Sequence, residues 1–555
     1  MTHFCWLSIF LVLAITVSHG AGQSMAMPMN NETGKMSRYS QVLQDLPCNA
    51  VLDELTVSQI SNMIITVIDQ QFSPGSLENT LTTTAILSRL KYGIQIIRIC
   101  TSCTDFPAML SQSSVFEEFC GSNVYGNDVQ HSGLLMLPVT SEGGIPVGTL
   151  KGMLYMHPST TASVPSNSWK GDRSSLDLQF LTAVASSPAA VILPDYMGYG
   201  QASGKDYKGY VVRKSYETST VPLWLWTKQF LQHMTNCQAA LAESAYVLGY
   251  SEGGYAAVVI ADALHRMGVD IIMTNAGGGP YRIGSEAILR IIQGIDDGIF
   301  PLDMRYVLAL LGSAYSSTYQ DIANYLRGQD MLADTERYNI VKLLQGDPTV
   351  DLLSTLIPAE DPLSIFDPNL LAFARKSIEN QNFNPCLDET TARDQNAYFL
   401  CKALQENDLT YTLEHASYPV TLCQSPDDDV VSIANLPNFD RNSNLMYSRV
   451  SGKHTAAGVA CITNGLLYAM VGAFHSYQPV STNSLVGCPR TTTMPLLGSG
   501  ANTNFWFFSG KEEKDFFYTK EDNSLEPPMG ENITSATASS TASSNSTQGG
   551  LRGRL

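Results

Sequence analysis

The stretch from Ala245 to Ile260, AYVLGYSEGGYAAVVI, constrains this chain more than any other. An apolar, β-rich run from Ala245 to Leu248 meets Gly249-Tyr250-Ser251-Glu252-Gly253-Gly254, and an Ala/Val-rich helical run continues to about His265. This reads as strand, tight turn and helix, with G-x-S-x-G at the turn. Glycines flank the serine because its backbone is strained and the helix must pass close to the strand it leaves. Ser251 then stands at a helix N-terminus, where unbonded backbone N–H groups can stabilise an oxyanion. The pentapeptide alone is common by chance, since Gly and Ser are abundant. The strand before it and the helix after it are what make it read as a nucleophile elbow.

Around this point strands and helices alternate. Strands are expected at Ile94–Ile99, Gly133–Pro138, Thr149–Met156, Ala189–Leu193 and Asp270–Thr274, with a helix over Thr220–Met234. Such alternation implies an α/β fold with a mostly parallel central sheet and helices on both faces. From about Arg282 to Asn407 the pattern changes to helical spacing, as in Ile288, Leu289, Ile292 and Ile295, then Met304, Val307, Leu308 and Leu311, then Leu352, Leu353 and Leu356. An insertion of this kind between sheet strands is expected to lie over the C-terminal edge of the sheet as a cap or lid, with a plain structural subdomain as the alternative. Strands resume at Tyr418–Cys423 and Leu445–Val450.

The domain reading is therefore a signal segment at 1–20, an N-terminal extension at 21–90, a core in two parts at 91–281 and 411–518, a cap at 282–410, and a Ser/Thr-rich disordered tail at 519–555. Phe4–Val17 is apolar, too short and too terminal for a good membrane span, and is followed by small residues before Ala21. Neither a later transmembrane segment nor a C-terminal lipid anchor is expected. Sequons start at Asn31, Asn532 and Asn545. Eleven cysteines become ten without Cys5, an even number that suggests up to five disulfides in an exported chain. Cys100 and Cys103 read as two structural half-cystines rather than a redox pair. A net charge of −18 argues against nucleic acid and anionic membrane surfaces as partners. Phe505-Trp506-Phe507-Phe508 could face lipid transiently, although a last strand with its packing is the preferred reading.

A serine nucleophile needs an imidazole to take its proton and a carboxylate to hold that imidazole. After Ser251 the histidines are His265, His415, His454 and His475. His454 lies in Ser451-Gly452-Lys453-His454-Thr455, a loop just past an expected strand, and is the preferred base. His265 ends the elbow helix, His415 precedes a strand, and His475 follows an apolar helix. For the acid, an apolar strand runs into Ser425-Pro426-Asp427-Asp428-Asp429-Val430-Val431. The Val-Val pair favours one inward carboxylate, with Asp428 preferred and Asp427 and Asp429 left open.

These motifs, in this order, together with Pro194-Asp195-Tyr196-Met197-Gly198-Tyr199-Gly200, resemble the α/β-hydrolase superfamily, and within it the secreted lipases typified by fungal lipase A and related secreted esterases. The similarity covers Ile94–Arg282 and Thr410 to about Gly472. It implies the α/β-hydrolase fold, Asp428 as acid, His454 as base, and an oxyanion hole from the main chain of Glu252 and of Asp195. Where many hydrolases carry a second donor after a His-Gly pair, this chain has His157-Pro158, and a proline cannot donate. The implied activity is hydrolysis of a small-molecule or lipid ester without metal or organic cofactor. A serine peptidase on the same fold, an acyltransferase, and a catalytically silent binding protein are the alternatives.

Overall fold

Near-continuous apolar runs give the central strands two apolar faces, because successive side chains point to opposite sides, and a sheet covered on both sides requires this. The computed structural model describes residues 48–475, apart from 72–73, 123–125, 127, 161–175, 320–331, 333–339, 346–349, 380–385 and 387–397. The signal segment, the three sequons, the Phe505–Phe508 stretch and the tail lie outside the described residues.

The chain opens with β1 (Ala50–Leu55), α1 (Val57–Gln71) and α2 (Leu77–Leu87), followed by β2 (Gly93–Thr101), β3 (His131–Val139) and β4 (Gly148–Met156). Next come α3 (Leu176–Ala185), β5 (Ala189–Pro194), α4 (Arg213–Met234), β6 (Ala239–Tyr250), α5 (Glu252–Arg266) and β7 (Asp270–Gly277). Helices α6 (Ile288–Asp296), α7 (Tyr306–Thr318), α8 (Pro368–Glu379) and α9 (Tyr398–Glu406) intervene before β8 (Val420–Gln424), β9 (Leu445–Arg449) and α10 (His454–His475).

The nine strands form one sheet in the order β1-β2-β3-β5-β4-β6-β7-β8-β9. From β5 across to β9 neighbouring strands are parallel, and β1, β2, β3 and β5 pair antiparallel. The sheet divides the core in two. Leu150, Leu154 and Val247 face the side covered by α4 and α5, whereas Met153, Tyr155 and Leu248 face α1, α3 and α10. Each such side chain, fully withdrawn from water, contributes about 1.5–3 kcal/mol.

Two boundaries differ from the sequence reading. Residues 50–90, expected as an extension, supply the edge strand β1 and two helices to the sheet, because Leu55, Ile60, Ile64 and Val67 bury against it. His454, expected in a loop, is the first residue of α10. The insertion between β7 and β8 packs on loops that leave the C-terminal ends of β4 and β5. Tyr306 of α7 donates to the Ser159 carbonyl at 3.4 Å, and Lys208 donates to the Leu344 carbonyl at 3.0 Å. Four disulfides are present among the described residues, Cys48–Cys100, Cys103–Cys120, Cys386–Cys401 and Cys423–Cys461, so Cys100 and Cys103 are bonded to separate partners. Among these residues no helix is long and apolar enough to cross a membrane.

Candidate active site

Strand β6 delivers Ser251 to the C-terminal edge of the sheet, and α5 begins at the next residue. Ser251 has φ 58° and ψ −124°, a conformation that a side chain adopts only when its surroundings enforce it. The enforcement is visible. The Ser251 N–H donates to the Gly277 carbonyl at the end of β7 at 2.8 Å. A Cβ on Gly253 would strike the Met156 carbonyl of β4, and one on Gly249 would strike the Gly253 carbonyl. Those two glycines let helix and strand approach closely enough to form the turn.

The candidate acid and base, Asp428 and His454, follow the ends of β8 and β9. Strand β8 leads into Asp428, whose Oδ1 accepts the N–H groups of Val430 at 3.0 Å and Val431 at 2.8 Å. Its Oδ2 accepts from Gln424 Nε2 at 2.9 Å. His454 Nδ1 lies 2.9 Å from both carboxylate oxygens, and its Nε2 lies 2.9 Å from Ser251 Oγ. A carboxylate only accepts, so this arrangement assigns the proton to Nδ1 and leaves Nε2 to accept from the serine hydroxyl. Serine, imidazole and carboxylate are all buried.

The neighbouring acids have other partners. Asp429 accepts the His454 N–H at 3.1 Å and pairs with Lys453 at 3.1 Å, which satisfies an orphan donor at the start of α10. The Asp427 N–H donates to Ser425 Oγ at 3.1 Å. Of the other histidines, His265 bonds Ser417 at 2.7 Å, His415 bonds the Tyr411 carbonyl at 2.9 Å, and His475 ends α10.

Glu252, the first residue of α5, puts its N–H beside Ser251 at the positive pole of the helix. Asp195 is placed differently from the expectation. Its N–H donates to the Ser132 carbonyl at 2.9 Å, continuing the β3–β5 ladder, and its carboxylate accepts the Ser132 hydroxyl at 2.7 Å. The pattern of the loop could not reveal this, because it depends on the partner strand. Two further residues escaped the sequence reading. Tyr250, the variable residue before the serine, donates to the His454 carbonyl at 2.7 Å, and Gln424 holds Asp428. Neither carries a local signal.

The insertion encloses an apolar cavity of about 50 Å³ lined by Ile288, Ile292, Leu308, Leu363, Phe366 and Leu371, among others. It is room for a few waters at most. Among the described residues no cluster of three or more His, Cys, Asp or Glu side chains could hold a metal ion.

No family profile and no curated protein sequence matches the chain. Solved structures do. A Legionella pneumophila protein described as a candidate hydrolase aligns with a TM-score of 0.53 and 17% identity, over 78% of this chain and 99% of its own. The rice cell wall degrading esterase LipA of Xanthomonas oryzae, in a ligand-bound form, aligns at 0.51 and 17%, over 78% of this chain and 98% of its own. The chain therefore has the α/β-hydrolase fold. Candida antarctica lipase A aligns less closely, at 0.40 and 13%, over 66% of this chain and 74% of its own.

Proposed function

We propose that the protein is a serine hydrolase of carboxylic esters. Ser251 attacks the ester carbonyl, and His454 takes the hydroxyl proton through Nε2 and returns it to the leaving alcohol. Asp428 holds the Nδ1 proton and supports the imidazolium as it forms. The oxyanion gathers negative charge beside the Glu252 N–H and the N-terminal pole of α5. Water, deprotonated by the same imidazole, then attacks the acyl-serine and releases the acid. Since the Asp195 N–H is engaged with Ser132, this reading assigns it no oxyanion contact.

The observation that carries the proposal is the continuous 2.9 Å contact from Asp428 through His454 to Ser251, with the serine held at φ 58° on a helix N-terminus. A packing role alone does not need a strained serine aimed at an imidazole. The esterase neighbour favours esters over amides as the substrate class. Export fits the four disulfides, since such bonds persist in oxidising compartments.

The test is hydrolysis of a p-nitrophenyl ester series from short to long acyl chains by the purified protein and by Ser251→Ala. Turnover by the wild type, reduced roughly 10⁴–10⁶-fold in the variant, is the expected result, and the profile over chain length separates esterase from lipase. A wild type inert to every ester and unlabelled by a fluorophosphonate would sink the proposal.

A further inference from the structure

The side chain of Glu252 has no part in the mechanism above, which uses only its N–H. Yet it is buried, 2% exposed, directly after the nucleophile. Its Oε1 accepts the Tyr216 hydroxyl at 2.8 Å, while Oε2 is buried with no hydrogen-bond partner. Tyr216 is fixed as the donor, because its oxygen already accepts the Val211 N–H at 2.8 Å. Val211 makes that bond from φ 54°, a conformation costly for a β-branched residue. The geometry thus supplies one hydrogen bond to a carbonyl-type oxygen and nothing to the other. That suits a neutral carboxyl whose proton sits on Oε2. An anion there would leave a charged oxygen buried and unpaired, which is far more costly.

We propose that Glu252 is a positioning residue that works in its un-ionised form, keeping the oxyanion-binding end of α5 free of a competing negative charge, and that losing its Oε2 proton to water switches the site off. This rests on the ester-hydrolase reading. A carboxylate on the first residue of the helix would occupy the same positive pole that stabilises the oxyanion, and would repel the developing charge.

The groups around Glu252 do not offset that charge. Tyr216 reaches it from α4, Tyr196 and Tyr210 from the loop after β5, and Tyr306 from α7; burial pushes all four hydroxyls up, so they stay neutral. From the loop after β4 come Ser159 and, stacked on Tyr196, His157, whose imidazole burial pushes down. Beyond His157 lies the Asp195 carboxyl, bonded to Ser132, and across Ser251 lies the His454–Asp428 pair. Among the groups that act on Glu252 none is a lysine or arginine. Burial accordingly pushes the Glu252 carboxyl up to about 8, against the pull of its Tyr216 bond and of the nearby Ser159 hydroxyl, which is itself bonded to Tyr210.

The test compares pH profiles of kcat/KM on a short p-nitrophenyl ester, each normalised to its own maximum, for the wild type, Glu252→Gln and Tyr216→Phe. The wild type should lose activity above pH 8 by about ten-fold per unit, as one ionisation dictates. Glu252→Gln, which cannot ionise, should lack that limb. Tyr216→Phe removes a bond that favours the anion and should move the limb to higher pH, a readout that survives if the glutamine variant does not fold. Coincident normalised profiles, or a limb displaced downward in Tyr216→Phe, would overturn the inference. The fluorophosphonate labelling rate of Ser251 across the same pH range separates the two readings. Labelling without the limb defeats only the role of Glu252, whereas no labelling at any pH defeats the ester-hydrolase reading beneath it.

Discussion

At the scale of single residues, the three consecutive acids Asp427, Asp428 and Asp429 are chemically alike and have different work. Asp428 receives two backbone N–H groups and the Gln424 amide, which fixes both its oxygens against His454 Nδ1. Asp429 instead satisfies a backbone donor at the start of α10. Their amides should therefore behave differently. Asp428→Asn keeps the shape but offers the imidazole an NH₂ group, and should lower kcat on esters by about 10³–10⁴-fold. Asp429→Asn should leave kcat within a few-fold and cost less than about 1 kcal/mol of stability, because its Oδ1 still accepts the His454 N–H and only the exposed Lys453 pair is lost. Steady-state kinetics and urea unfolding of both variants check this, and equal kinetic losses would contradict the assignment.

At the scale of elements, the candidate site depends on how β8 and α10 are joined. Asp428 follows β8 and His454 opens α10, and the Cys423–Cys461 disulfide ties the end of that strand to the second turn of that helix. Tyr250 packs in the same small cluster, with Val450, Ala457 and Ala460, and bonds the His454 carbonyl from β6. Three elements thus meet behind the imidazole. Replacing both cysteines by serine should cost about 2–4 kcal/mol of stability. Because the bond joins the elements that carry Asp428 and His454, kcat should fall more than KM rises if those residues act as proposed. Thermal unfolding with a kcat and KM measurement on the double variant tests this, and unaltered kinetics would show that Tyr250 and packing suffice to hold the pair.

At the scale of the molecule, buried titratable groups shape stability. Burial pushes His131 down to about 4 from its ordinary 6.5, and pushes His157 down as well. The folded state then holds fewer protons on these imidazoles than the unfolded chain does, so stability rises with pH up to about 6.5. Glu252 works the other way. Its carboxyl titrates near 8 when folded against 4.5 ordinarily, so its contribution is complete below 4.5 and is lost as pH rises through about 8. Between 4.5 and 6.5 the His131 term rises while the Glu252 term falls, and above 6.5 the His131 term is complete while the Glu252 term still falls. A decline in stability from about pH 6.5 toward 8 is therefore expected, and Glu252→Gln should remove it. Tm measured across pH for both proteins decides this, and parallel curves would contradict it.

The sequence by itself determined the strand, tight turn and helix at Ser251, the alternation that makes a mostly parallel sheet, and the helical insertion before β8. All of these rest on interactions within a few residues, which composition and spacing report directly. Only the tertiary structure decided which of the three acids meets the imidazole, that Asp195 gives its N–H to Ser132, that Tyr250 and Gln424 support the pair, and that residues 50–55 close the sheet edge. Ser251 and His454 touch across a separation of 203 residues. At such distances partners are chosen by strand order and packing. Whether Glu252 ionises is settled in the same way, because what it loses is water, and only the assembled core takes that away.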